Sequence, residues 1–119
     1  MIEGLTILKI RIIICLIDMN IQYRTVTHLS ELFMVSKSTI SRAVDWLEEN
    51  NMIFKDGRRI NLTNYGKKLA INFKTRIKCS LNWLISEDVP QHIAENDAMV
   101  IAKDCSDFTI SAVKKSIGI

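Results

Sequence analysis

Two rhythms of apolar and polar positions run along this chain, and the switch from one to the other marks its most informative stretch. Over residues 26–50, VTHLSELFMVSKSTISRAVDWLEEN, the rhythm is helical. Val26, Leu29, Leu32 and Phe33 share one face of a predicted first helix, and Thr25 or Thr27 supplies a hydroxyl to cap its start. Met34-Val35-Ser36 breaks the pattern, and Ser36 is the natural N-cap of a second helix running to Asn50. Inside that helix Ile40, Ala43, Val44 and Leu47 form a narrow inward stripe. From Met52 the rhythm shortens. Met52-Ile53-Phe54 and Ile60-Asn61-Leu62 read as two strands around Lys55-Asp56-Gly57-Arg58-Arg59, where Asp-Gly signals a hairpin turn. Thr63 then opens a long helix, Asn64 to about Ser86. The expected fold is mainly α with a small β-wing: a winged helix-turn-helix followed by a helical dimerisation region. The expected division is a DNA-binding domain at 1–66 and a dimerisation or sensor region at 67–119, the long helix continuing from the wing.

The polar face of the second helix suggests what the pattern is for. Lys37, Ser38, Thr39, Ser41, Arg42 and Asp45 lie opposite the apolar stripe. Short hydroxyl side chains at a helix start let its free N–H groups approach a duplex, where they bond phosphates and base edges. In helix-turn-helix proteins the N-terminal residues of the second helix do the reading. The expected DNA contacts are therefore Ser38, Thr39 and Arg42 for reading and Ser36 and Lys37 on phosphate, with Thr27 and Ser41 also expected at the DNA. Lys55, Arg58 and Arg59 at the hairpin are expected to meet phosphate or the minor groove. Lysines 67, 68, 74 and 78 read equally well as a solvated basic helix face.

Charge distribution sharpens this reading. The chain carries a formal +3, yet residues 54–78 alone hold eight basic side chains against one acidic. The segments on either side are net acidic. Such segregation is an electrostatic footprint for nucleic acid.

The order of these elements resembles the diphtheria-toxin-repressor and manganese-transport-regulator family of metal-dependent regulators. The resemblance rests on the helix-turn-helix, on a wing that ends in INLTNYGKKLA, and on the later segment DVPQHIAENDAMVIAKDCSD followed by FTISAVKKSIG. Leu-Thr-x-x-Gly-x-x-Leu-Ala is shared with regulators of the multiple-antibiotic-resistance type, so Ser106-Asp107 before the last helix is the more specific mark. The resemblance implies a first helix over Leu5–Met19, where the β-branched content alone fits a buried strand equally well. It also implies a dimer to which the last helix contributes. Residues 89–117 carry apolar faces for one (Val89, Ile93, Val100, Ile101, Phe108, Ile110, Val113 and Ile117) that a chain of this size would struggle to cover alone, so a homodimer is expected. The family's metal ligands fall here on Met99, Ala102, Lys103, Glu95, Arg76 and Ser80, with no acid or Met near Lys9–Ile12. Nearly every ligand is replaced. No metal is therefore expected, and Arg76 or Lys103 beside Glu95 is expected to form a fixed-charge link instead. Glu95, Met99, His92 and Cys105 remain the weak candidates for a different site, and the resemblance leaves manganese or iron as the metal such a site would take.

Composition bounds the rest. At 119 residues and 48% hydrophobic, the chain can bury a core, and one Pro and four Gly argue against long disordered linkers. Ile10–Ile17 is far short of the ~20 residues a membrane span needs. No small-residue cleavage site follows it, so neither a span nor a signal peptide is expected. Three widely spaced cysteines without a C-x-x-C read as reduced cytoplasmic thiols. His28 and His92 have no nucleophile or base placed near them by any motif, so no enzyme is expected. Trp46 and Trp83 lie on apolar faces, as core or interface residues. Three readings follow: a dimeric DNA-binding repressor acting on a near-palindromic operator, a small-molecule-responsive regulator of the multiple-antibiotic-resistance type, and a winged-helix protein-interaction module.

Overall fold

The computed structural model describes residues 2–118. In chain order it has α1 (Ile7–Asp18), a single 3-10 turn at Ile21–Tyr23, α2 (Val26–Phe33), α3 (Lys37–Glu49), β1 (Ile53–Asp56), β2 (Arg59–Leu62), α4 (Asn64–Ser86), α5 (Gln91–Asp104) and α6 (Asp107–Ser116). The expected fold class is the observed one: helices with one small antiparallel wing. The chain divides into two compact units, one from Leu8 to Ile71, the other from Asn72 onward together with the segment up to Ile7.

In the first unit, α1 is helical despite its isoleucines because burial overrides intrinsic preference. Ile10, Ile12, Ile13 and Leu16 are fully buried. Its two cations stand over aromatic rings. Lys9 Nζ is 4.2 Å from the ring centroid of Trp46 on α3, and Arg11 Cζ is 5.2 Å from that of Phe33 on α2. Burial lowers the Lys9 pKa from its ordinary value. The stripe Ile40, Ala43, Val44 and Leu47 is buried throughout. One expectation fails at α2. Leu32 is 51% exposed, and Ser30 takes the inward place, its hydroxyl donating to the Thr27 carbonyl at 2.9 Å. A helix this short has one inward stripe, and Leu29 with half-buried Val26 and Phe33 fills it.

Three helices end on the same chain-reversal device without a glycine. Met34, Asn51 and Asp88 have φ of 57°, 61° and 64°. Next to each, paired backbone bonds cap the helix, as Val35 N to Ser30 O and Met34 N to Glu31 O do after α2. Asn and Asp tolerate this conformation well, whereas Met34 adopts it with its side chain 90% exposed.

The wing pairs Ile53 with Leu62, Phe54 with Asn61, Lys55 with Ile60 and Asp56 with Arg59. Its two-residue tip is thus Gly57-Arg58, one position beyond the expected Asp56-Gly57. Only Gly57 takes positive φ there (60°), as in hairpins with glycine at the first central position. The start of α4 is held against the turn that leads from α3 into β1. Thr63 Oγ1 donates to Asn51 O at 2.6 Å and accepts from Gly66 N at 2.9 Å, while Thr63 N donates to Met52 O at 3.1 Å.

In the second unit Leu84, Ala94 and Ala98 form a buried cluster, with Ile77, Leu81, Trp83, Val89 and Ile101 packed against it. The interface list expected from sequence needs correction here. Ile110 and Val113 are buried in the chain itself, while Ile93, Val100 and Phe108 remain exposed. The expected ends of α1 contract from Leu5–Met19 to Ile7–Asp18.

Candidate nucleic-acid interface

The start of α3 is a cluster of hydroxyls. Ser36 caps it, its Oγ accepting from Thr39 N at 3.1 Å, and lies 2.8 Å from Thr39 Oγ1 and 3.1 Å from Ser38 Oγ. Lys37, Ser38 and Arg42 are exposed, and Ser38 and Arg42 stand one turn apart on the same stripe. Thr39 and Ser41 are half-buried, so the outermost reading surface is narrower than the sequence implied.

At the wing, Arg58 and Arg59 are exposed at and beside the tip. Lys55 differs from them. It pairs across the strands with buried Ile60, so both point to the face that meets α3. Its Nζ lies 2.6 Å from Asp45 Oδ1 and 3.6 Å from Glu48 Oε1. The Asp45 hydrogen bond, above all, raises the Lys55 pKa from its ordinary value. Lys55 therefore ties the wing to α3, a commitment the sequence did not reveal.

Thr27, Lys55 and Arg58 come together. With Thr25, Val26, Gly57 and Ile60 they line an open groove of about 230 Å³ between the start of α2 and the wing tip. Thr25 caps α2 by accepting from His28 N at 3.2 Å. Two hydroxyls, the Arg58 cation and a helix N-terminus converge there, a lining suited to an anion, while the charge of Lys55 is already met by Asp45 and Glu48.

Sequence reasoning missed Arg24. Its Nε donates to Met19 O at 2.7 Å and its Nη1 to Asn61 Oδ1 at 3.2 Å, while its carbonyl accepts from Ile60 N at 2.8 Å. The residue before the helix-turn-helix thus holds β2 in place. No periodicity flags such a residue, because it acts through polar bonds to a nearby carbonyl and to a strand 37 positions on, not through an apolar face.

The weak metal candidates are not gathered. His92 and Glu95 are exposed on α5, Met99 is half-buried two turns on from His92, and Cys105 lies about 15 Å further along the axis from Glu95 at helical rise. Glu95 accepts instead from Gln91 Nε2 at 2.9 Å. Among the described residues no three His, Cys, Asp or Glu side chains are grouped to hold a metal ion. The expected fixed-charge link to Glu95 is also corrected. Lys103 pairs with Asp104 at 2.7 Å. Arg76 is buried and donates from Nε to Ala102 O (2.8 Å), from Nη2 to Cys105 O (2.5 Å) and from Nη1 to Asp107 Oδ1 (2.9 Å). Ala102, buried and without a donor, completes a set that does not fit a divalent transition metal.

A sequence-family profile described as the methanogenesis regulatory protein FilR1, N-terminal domain, matches residues 4–80. No curated protein matches the chain in sequence. Among solved structures, the manganese regulator SloR is similar at 18% identity with a TM-score of 0.81, covering 92% of this chain and 53% of SloR. The hypothetical protein SSo2273 from Sulfolobus solfataricus is similar at 13% identity and TM-score 0.70, covering 94% of this chain and 86% of that one. IdeR of T. acidophilum is similar at 20% identity and TM-score 0.68, covering all of this chain and 55% of IdeR. The chain spans about half the length of SloR and of IdeR. At these identities the likeness is one of fold, and the fold is a winged helix-turn-helix of the diphtheria-toxin-repressor type.

Proposed function

This chain belongs to the family of the methanogenesis regulatory protein FilR1, N-terminal domain, and on that premise we propose that it is a transcription regulator that binds double-stranded DNA as a homodimer and acts as a repressor. The observation that carries the reading is the joint placement, within one unit, of a hydroxyl-capped, outward-facing α3 and a wing tip made of Gly57-Arg58 beside Arg59. Residues 1–66 form the DNA-binding domain and 67–119 the dimerisation or sensor region. Ser38, Thr39 and Arg42 face the major groove, with Ser41 beside them, and Ser36 and Lys37 meet phosphate at the helix start. Arg58 and Arg59 meet the backbone beside it. The groove between the start of α2 and the wing tip seats one backbone phosphate on Thr27 and Arg58, with Lys55 in its wall held by Asp45.

Exposed Ile93, Val100 and Phe108 support self-association. A two-fold dimer places its reading helices about 34 Å apart, one DNA turn, and calls for a near-palindromic operator. The reading involves no catalytic step. It places the protein in the cytoplasm with the DNA; among the described residues no helix is long and apolar enough to cross a membrane.

The test is binding of the full chain to a random duplex over a range of salt. Affinity is expected to fall steeply and linearly in log–log form, and neutralising Arg58 and Arg59 together to flatten that slope by about one to two. A salt-independent interaction, or none at low salt, refutes the reading. Light scattering showing a monomer at micromolar concentration refutes the dimer.

A further inference from the structure

The unit beyond Asn72 contains a buried cation whose role the DNA-binding reading does not use. Arg76 stands on α4 with 7% of its side chain exposed. Its three donor nitrogens go to three different acceptors on the α5–α6 junction. Ala102 O and Cys105 O belong to the last turn and end of α5, where carbonyls lack helical partners and carry the negative end of the helix dipole. Asp107 opens α6 directly after its Ser106 cap. One planar, permanently charged group thus joins α4 to the end of one helix and the start of the next.

A similar structure is that of a manganese regulator, which raises the question of whether a divalent ion could serve at this junction. The residues answer against it. The acceptors available are two neutral carbonyls and one carboxylate, and all three are already bonded to the guanidinium. One turn along α4 from Arg76, Ser80 Oγ is fully buried and has no hydrogen-bond partner among the described residues. It is a neutral hydroxyl, and an ion drawn to it would stand beside a positive charge. An ion entering the junction would have to break the guanidinium's bonds to these acceptors, and a buried cation left without them is costly.

We propose that Arg76 is a resident, non-exchangeable cation that fixes the α4–α5–α6 junction, so that the protein's folding and DNA binding do not respond to divalent transition metals. The DNA-binding half of this statement rests on the function proposed above; the folding half does not.

The experiment uses the full chain with MnCl2 or CoCl2, each compared with chelator at fixed ionic strength. Calorimetric titration is expected to show no saturable binding, thermal unfolding to shift by no more than about 1 °C, and affinity for the random duplex to stay within about twofold. Saturable binding that raises Tm by several degrees, or a tenfold or greater gain in duplex affinity reversed by chelator, overturns the proposal. Arg76→Ala removes the cation and is expected to lower Tm. Guanidinium chloride at about 20 mM, too dilute to denature, is then expected to raise the variant's Tm relative to equal NaCl while leaving the parent unchanged. Absence of that rescue overturns the cation role. If Arg76→Ala does not fold, Arg76→Lys replaces it: a partial loss of Tm with metal still inert supports the proposal, and a Tm equal to the parent's refutes it. A parent protein that binds no duplex sinks the regulator reading but leaves calorimetry and melting to decide this one.

Discussion

Replacing Gly66 by alanine tests how the wing is joined to the helix that follows it. A Cβ at this position would lie 1.8 Å from Met52 O, 2.8 Å from Met52 C and 3.1 Å from Met52 Cα. Real Cβ contacts do not fall below 3.0 Å, so the two backbones must part by at least 1.2 Å. Neither is the loose end of a side chain. Met52 O also accepts from Thr63 N at 3.1 Å, and Gly66 N donates to Thr63 Oγ1 at 2.9 Å, so parting loosens both bonds. Overpacking costs about 1–3 kcal/mol and each weakened bond about 0.5–1.5, while alanine's better helix propensity returns up to about 1. The net expectation is a loss of about 1–6 kcal/mol, centred near 3. Urea unfolding should show it as a lower midpoint with an unchanged slope. Gly57→Ala is the control. Its Cβ would meet nothing within 4 Å, and only its φ of +60° is strained, for a loss of about 1–2 kcal/mol. If Gly66→Ala costs no more than Gly57→Ala, the close approach is not what fixes glycine at that position.

Arg42→Ala is expected to weaken specific operator binding by about 1–3 kcal/mol while leaving random-duplex binding nearly unchanged, if Arg42 reads a guanine; equal losses on both DNAs would mark it as a phosphate contact. Ser36→Ala removes the α3 cap and its two hydroxyl contacts and should lower stability by about 1 kcal/mol in urea; a change within error would mean water replaces the cap fully. Lys55 has its pKa raised by its bond to Asp45, so its contribution is complete below the ordinary lysine value of about 10.4 and is lost as pH rises through the raised one. The difference in urea midpoint between parent and Lys55→Gln should therefore be flat from neutral pH to about pH 9 and shrink above pH 10.4. A difference that changes near neutrality would place the responsible charge elsewhere.

How much of this was legible depended on whether the signal was local. The α3 stripe and its Ser36 cap are dictated within a few residues, and both stand as read. The hairpin was legible as well, but its tip lies one residue on from the Asp-Gly signal, because Asp56 pairs with Arg59 and glycine takes the first central place. Leu32 was misread because a four-residue apolar set outnumbers the stripe that an eight-residue helix can bury. Ile110 and Val113 look like interface positions in sequence, yet α6 buries them within its own chain. The tie of Lys55 to Asp45 and Glu48 could have been suspected from opposite charges on neighbouring elements, but only the register of Lys55 with Ile60 decides which face it takes. The glycine in Leu-Thr-x-x-Gly carried a signal of close approach that the pattern alone did not decode. Arg24 and Arg76 carried none, since what they hold together lies far away in sequence: Arg24 reaches the Asn61 side chain and Arg76 the carbonyls at the end of α5.

The inner face of α5 has a mechanical consequence. Ala94, Ala98 and Ala102 recur every fourth residue and are almost wholly enclosed, with Ala94 and Ala98 set among α4 side chains. Methyl groups make a smooth track: they let two helices lie close, but they offer few of the ridges and grooves that resist lengthwise slippage. A track needs a stop. The directional bonds from Arg76 to Ala102 O and Cys105 O supply it, since a shift of one residue along the axis, about 1.5 Å, would break both. Closeness and alignment are thus assigned to different residues, so the alanines tolerate no growth in size, whereas the alignment hangs on a single side chain.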